Sequence, residues 1–227
     1  MKSYNKINTS TKNKKDEAYS KILQDIKTCT LYPGMHISMN ELSSLYDLGI
    51  SPIRDALQRL IADGFVVSVP RFGYIITPVT LNDFRELMEI RLIIETAAVL
   101  YAIQRGTDSQ VQKILDAADF SYTHGDRNSY INFIQKNSKF HSLISEISGN
   151  HRFNQMQTDI NTQLERVFYL GLDLEESGEN ARLEHIKIAR AIKDRDKSLA
   201  QELIKKHIVV FEARVTLGLS SLTDGTG

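Results

Sequence analysis

The sequence predicts a mainly α-helical chain in two parts: a small head of short helices with one hairpin, then an all-α bundle of six helices. Three observations carry this. Strand-forming runs are confined to the part before Pro78, and from Thr80 onward apolar residues recur at helical spacing with only brief Gly, Asp and Ser breaks. The length of 227 residues, 41% of them hydrophobic, suffices for a core in each part.

In the head, Tyr19, Ile22, Leu23 and Ile26 form one apolar stripe, which predicts a first helix over residues 16–29. Pro33-Gly34 then signals a turn. Ser38 and Glu41 have capping-box spacing and open a second short helix. After the turn at 47–50, Ser51 is placed to cap a third helix with Pro52 at its first position, and Gly64 ends it. Two β-rich runs, FVVSV and YIITP, flank Pro70-Arg71-Phe72-Gly73 and read as a hairpin. Three helices and a hairpin make a winged helix-turn-helix, in which one helix enters the major groove of double-stranded DNA and the hairpin tip reaches the backbone or minor groove. The domains expected are a flexible basic arm (1–15), the winged domain (16–79), the bundle (80–220) and a flexible tail (221–227). Within the bundle, helices are expected near 80–105, 109–124, 127–148, 151–172, 180–194 and 196–219.

Composition excludes several classes of function. No run reaches the length of a membrane span: LIIETAAVLYAI is short and interrupted by Glu95. The N-terminus has no apolar core of the kind a secretory signal needs, and the single Cys29 permits no internal disulfide, so a cytoplasmic protein is expected. Net charge is zero but unevenly spread. Residues 1–79 carry ten Lys/Arg against seven Asp/Glu, with Lys2, Lys6, Lys12, Lys14 and Lys15 ahead of any acid, as a DNA-facing arm would have.

In the bundle, His141, His185 and His207 each fall on the apolar face of a separate predicted helix. Buried imidazoles need partners, and three that converge make a metal site, although a lone histidine on such a face is more often a satisfied core residue. An open position on such a metal would accept a small carboxylate, with an arginine as second anchor.

The order of parts resembles the GntR family of bacterial transcription regulators. The resemblance rests on Tyr19-x2-Ile22-x3-Ile26, Leu31-Tyr32-Pro33-Gly34, Glu41-Leu42, Ser51-Pro52-Ile53-Arg54-Asp55-Ala56-Leu57-x-Arg59-Leu60, Asp63-Gly64-Phe65 and Arg71-Phe72-Gly73-Tyr74. The second part resembles the FCD effector domain of the FadR subfamily through Glu86-Leu87-x-Glu89-x-Arg91-x3-Glu95, Phe140-His141, Ser148-Gly149-Asn150, Glu184-His185 and His207.

In the ungapped register from Glu41 to Pro52, the family's Ser-Arg pair falls on Gly49-Ile50. Ile50 cannot make the arginine's hydrogen bond but could touch a thymine methyl. The DNA-binding candidates are then Asn40, Ile50, Ser51, Arg54, Gln58, Arg71 and Gly73. Ser51 and the helix N-terminus can hold a phosphate. Arg54 matches a retained family arginine, and Gln58 lies one turn beyond it. Gly73 would let the wing approach the minor groove, whereas Arg59 reads as a surface ion-pair partner. One winged domain grips few phosphates, so a homodimer on a pseudo-palindromic operator is expected.

The resemblance also implies metal ligands at Asn137, His141, His185 and His207, with Asn137 standing where metal-binding members have Asp. Zinc, nickel and manganese all suit such a set. For a carboxylate effector the resemblance points first to Arg91, which could equally pair with Glu95 at i+4, and Arg166 is the second candidate. Two other readings stay open. One is a three-histidine metalloenzyme, disfavoured because no carboxylate is evident beside His141. The other is a metal-free regulator whose bundle serves dimerisation or another ligand.

Overall fold

The computed structural model describes the backbone of residues 5–172 and 178–224, with side chains over 14–172 and 178–217. The chain divides into two units, Met1–Val79 and Thr80–Gly227.

The first unit opens with α1 (Asn5–Lys27). This helix begins well ahead of residue 16, so the expected flexible arm is helical from Asn5; residues 1–4 lie outside the described part. No Gly or Pro interrupts residues 5–27, which leaves nothing to stop the helix from running back. It also ends earlier than residue 29. Thr28 bonds its hydroxyl to the Gln24 carbonyl, and Cys29 adopts a left-handed φ of 54°. Of the predicted stripe, Ile22 and Ile26 are fully buried with Ala18, while Tyr19 and Leu23 pack at the margin of the core.

A strand that the sequence did not announce, β1 (His36–Ile37), follows the Pro33-Gly34 turn. Next come α2 (Met39–Tyr46), α3 (Ile50–Ala62), β2 (Val66–Val69) and β3 (Gly73–Ile76), the strands forming an antiparallel sheet in the order β1-β3-β2. The capping box on α2 is formed: the Ser38 amide donates to Glu41 Oε2 at 2.8 Å and the Glu41 amide to Ser38 Oγ at 3.2 Å. The cap of α3 differs from expectation. Gly49 occupies it with no side-chain hydrogen bond, and Ser51 lies inside the first turn. Extended backbone at Gly49 (φ −63°, ψ 159°) starts the helix without help from Ser51. Pro52 still falls where an amide has no intrahelical partner. Ile53, Leu57 and Leu60 face the core.

Polar ties fasten α1 to α3. Lys15 pairs with Asp55, Tyr19 Oη donates to Asp63 Oδ2 at 2.7 Å, and Arg59 lies 3.7 Å above the Tyr19 ring and 3.6 Å from Asp16. Arg59 is thus bound to the scaffold, as a structural ion-pair partner would be.

The second unit holds six helices among the described residues: α4 (Leu81–Arg105), α5 (Asp108–Asp116), α6 (Arg127–Ile147), α7 (His151–Gly171), α8 (Gly178–Lys193) and α9 (Lys197–Asp224). Thr80, Asp126 and Asn150 cap α4, α6 and α7 through their side chains, and Thr107 with Gln110 forms a capping box on α5. Helix α4 is central and packs on α6, α7, α8 and α9.

Two boundaries moved. The helix expected over 109–124 stops at Asp116, because Ala118, Phe120 and Tyr122 are buried in alternation, a period-two pattern that a helix cannot present to one face. The expected tail at 221–227 is helical to Asp224, and the remaining residues lie outside the described part. No described helix is long and apolar enough to cross a membrane.

Candidate metal centre and nucleic-acid interface

On the winged unit, Asn40, Ser51, Arg54, Gln58 and Arg71 are all exposed, and Ile50, the first residue of α3, is 41% exposed. Ile50 therefore does not pack away into the scaffold. Gly73 has a structural reason to be glycine besides any approach to DNA. Its φ is +91°, and a Cβ there would stand 2.9 Å from the Ile37 carbonyl oxygen of β1.

In the bundle, the three histidines come together. His141 on α6, His185 on α8 and His207 on α9 are buried, and one ligand atom from each lies within 4.8 Å of the others. Nitrogens sharing one tetrahedral zinc stand about 3.3 Å apart, so the spacing is of the right order. Asn137, one helical turn before His141 and also buried, lines the same small cavity of about 30 Å³ with His185, His207, Phe168, Arg91 and Arg214. A water needs about 10–15 Å³ of such space. The cavity thus has room for an ion with one or two small ligands, while a larger organic molecule requires side chains to move.

A buried charge relay supports His141. On the inner stripe of α4, Arg91 and Glu95 are paired at 2.7 Å (Nε to Oε1), and Gln157 of α7 donates to the same Oε1 at 2.8 Å. The other Glu95 oxygen stands 2.8 Å from His141 Nδ1, a close contact without good hydrogen-bond alignment. Arg91 Nη2 lies 3.0 Å from His141 Nε2. Since a guanidinium can only donate, Nε2 is the acceptor and the ring proton sits on Nδ1, facing Glu95. Burial would by itself raise the Glu95 carboxyl, but Arg91 and His141 outweigh it and hold the group ionised. Burial pushes the His141 imidazole down to about 4, with Glu95 opposing and Arg91 reinforcing.

His185 is also held well below the ordinary imidazole range, first by burial and then by His207, His141 and Arg91. Apart from the influence of the Ala181 backbone, neither of its ring nitrogens has a well-formed hydrogen bond. Glu184 Oε2 lies 2.8 Å from His207 Nδ1 and directs the other nitrogen inward. Burial tends to raise Glu184, and His207 together with Arg214 and Lys187 more than offsets it. Two imidazoles oriented by carboxylates and a third left orphaned are the donor set that a divalent transition metal takes. The residues present fit such an ion.

Sequence reasoning missed three parts of this site. Glu95 does stand beside His141, contrary to expectation; the available signal was a carboxylate on a stripe that must be buried. Arg214 lines the cavity, whereas Arg166 is buried on α7 but does not line it. Arg214 is seven residues after His207 and so on the same helical face. The third part is Gln157, which nothing in the local pattern of α7 distinguishes.

Comparison with known proteins now decides the family. Residues 14–76 match the family described as bacterial regulatory proteins, gntR family, and residues 86–209 match the FCD domain. The chain belongs to the GntR family and carries an FCD domain. It is 26% identical over 192 residues to the HTH-type transcriptional regulator YdhC of Bacillus subtilis, covering 83% of this chain and 85% of that one. It is 22% identical to the HTH-type transcriptional repressor RspR of Escherichia coli K12, covering 85% and 84%. Its fold is shared with a GntR transcriptional regulator from Rhodococcus sp. RHA1, with a TM-score of 0.72 at 20% identity over 90% of this chain and 98% of that one. A second structure, E. coli McbR/YncC, gives 0.69 at 16% identity over 91% and 98%. Both curated relatives are described as transcriptional regulators. In this GntR protein, Glu95 stands against the Nδ1 side of His141.

Proposed function

We propose that this GntR protein is a cytoplasmic, metal-dependent repressor that binds a pseudo-palindromic operator as a homodimer and responds to a small carboxylate. The observation that carries the reading is the gathering of three buried histidines beside a cavity lined by two arginines. A zinc, nickel or manganese ion would be held by His141, His185 and His207, with the Asn137 amide oxygen as a further ligand. Such an ion supplies an open position for a carboxylate oxygen. Arg91 and Arg214 are placed to take the anion's charge. With neutral Asn137 in the set, the site keeps more positive charge than a carboxylate would leave, which favours an anionic effector.

DNA contact is assigned to Asn40, Ser51, Arg54, Gln58 and Arg71, with Ile50 meeting a base edge by apolar contact. The effector must bind the DNA-competent and DNA-incompetent shapes unequally, and the coupling must then be reciprocal.

A specific contact favours a second reading, a bundle without metal. Arg91 already satisfies His141 Nε2, so that nitrogen needs no ion, and any ion bound through it must displace Arg91. The test uses a duplex that the protein selects from a random pool, with metal-loaded protein titrated with lactate, citrate and related acids. One of these should weaken DNA binding by about tenfold or more, within the usual range of allosteric coupling. Unchanged DNA affinity at saturating concentrations of every acid that binds would overturn the sensing half.

A further inference from the structure

The wing ends in an exposed aromatic ring that the DNA-contact set above leaves unused. Phe72 is 73% exposed at the tip of the β2–β3 hairpin, as solvent-facing as any large hydrophobic side chain described. Its amide donates to the Val69 carbonyl at 3.0 Å, closing a turn over Val69-Pro70-Arg71-Phe72. Arg71 adopts a φ of +69° at the third position of that turn, where glycine or asparagine is favoured. A side-chain-bearing residue held there signals a strained tip that its surroundings over-determine, a feature that gathers at functional sites.

The stalk beneath the tip is firm. Val69 pairs with Gly73, Tyr74 pairs with Ile37 of β1, and Gly73 leaves no room for a Cβ against the Ile37 carbonyl. A rigid hairpin thus presents a bare ring beside one cation, and residues 64–82 contain no Asp or Glu. An apolar tip with an arginine and no acid suits a polyanion whose interior is apolar and stacked, which describes duplex DNA approached through the minor groove.

We propose that Phe72 is an apolar wedge that enters the minor groove, partly unstacks one base step and bends the duplex, with Arg71 holding the adjacent phosphate. Side chains of this class act in this way in architectural proteins. Pyrimidine–purine steps open most easily, so Phe72 selects such a step in each half-site without any hydrogen bond to a base. The proposal rests on the DNA-binding reading of the winged unit.

The experiment uses the full chain and a duplex that it selects from a random pool, labelled at both ends for energy transfer, with affinity followed across a salt series. The wild-type protein should shorten the end-to-end distance. Phe72→Ala should lose that bend and about tenfold in affinity with an unchanged salt slope, while Phe72→Leu keeps most of both. Arg71→Ala should do the opposite, lowering the salt slope by about one and leaving the bend. Phe72→Ala that bends and binds within about twofold of wild type overturns the wedge. So does a loss that comes with a lower melting temperature or an altered oligomeric mass, because Phe72 would then be packing against protein. Arg54→Ala separates the two readings. If that variant loses the duplex while Phe72→Ala is unaffected, only the wedge fails; if wild type retains no duplex, the DNA reading fails with it.

Discussion

At the scale of single residues, Arg91 has the most to do. It neutralises Glu95, donates to His141 and borders the cavity, all while 1% exposed. Removing one member of such a buried pair strands the other charge. Arg91→Ala is therefore expected to destabilise the metal-free protein by about 3–5 kcal/mol in urea unfolding. Arg91→Met combined with Glu95→Gln should recover much of that loss, since no charge is then left unpaired. An Arg91→Ala protein as stable as wild type would show that Glu95 finds another partner. The residue scale is also where the sequence was least explicit. Arg91 and Glu95 were legible as an i,i+4 pair, yet their meeting with His141 depends on a helix separated by a long stretch of chain. The choice of Arg214 over Arg166 depends on which face α9 turns inward. Local periodicity carries no information about either.

At the scale of elements, the recognition helix was legible in place and register but not in its first turn. Ser51-Pro52 looks like a cap followed by the first helical residue, whereas the helix begins two residues earlier, with Gly49 at the cap in ordinary extended backbone and Ile50 first. That shift puts Ile50 on the exposed end of α3. Ile50→Arg should tighten operator binding or shift base preference at one position in each half-site, as read by selection from a random pool. If neither changes, Ile50 does not meet DNA. The helices of the bundle were readable from their apolar spacing and the Gly, Asp and Ser breaks between them, and the structure adds side-chain caps at Thr80, Thr107, Asp126 and Asn150. The shortened α5 was not, although Ala118, Phe120 and Tyr122 already alternate with polar residues; what fixes the break is the aromatic cluster around Phe133 and Tyr130, which claims the two rings from another helix. Strand β1 is two residues long and earns its place only by pairing with β3, a contact invisible to short-range reading.

At the scale of the whole molecule, the bundle keeps two histidines neutral at a cost that appears in acid. His141 titrates near 4 when folded, and His185 also lies well below the ordinary value of 6.5. Below about pH 6.5 the unfolded chain takes up protons at these positions that the folded chain refuses, so stability falls with pH through that window. The slope contributed is about 1.4 kcal/mol per pH unit for each such group. The melting temperature of the metal-free protein should accordingly drop between pH 6.5 and 4, and less steeply in a His185→Phe variant. A flat profile across that window would mean that the rings are not held neutral. Metal binding should weaken over the same range, because proton and ion compete for the same lone pairs. The central claim is that these three rings hold a divalent ion, and elemental analysis of the purified full chain, beside a His185→Ala and His207→Ala double variant, tests it most directly. The account predicts about one zinc, nickel or manganese ion per chain in the wild type and near none in the variant. Wild-type protein that carries no metal after dialysis against zinc and nickel, or a variant that retains as much as wild type, would contradict it.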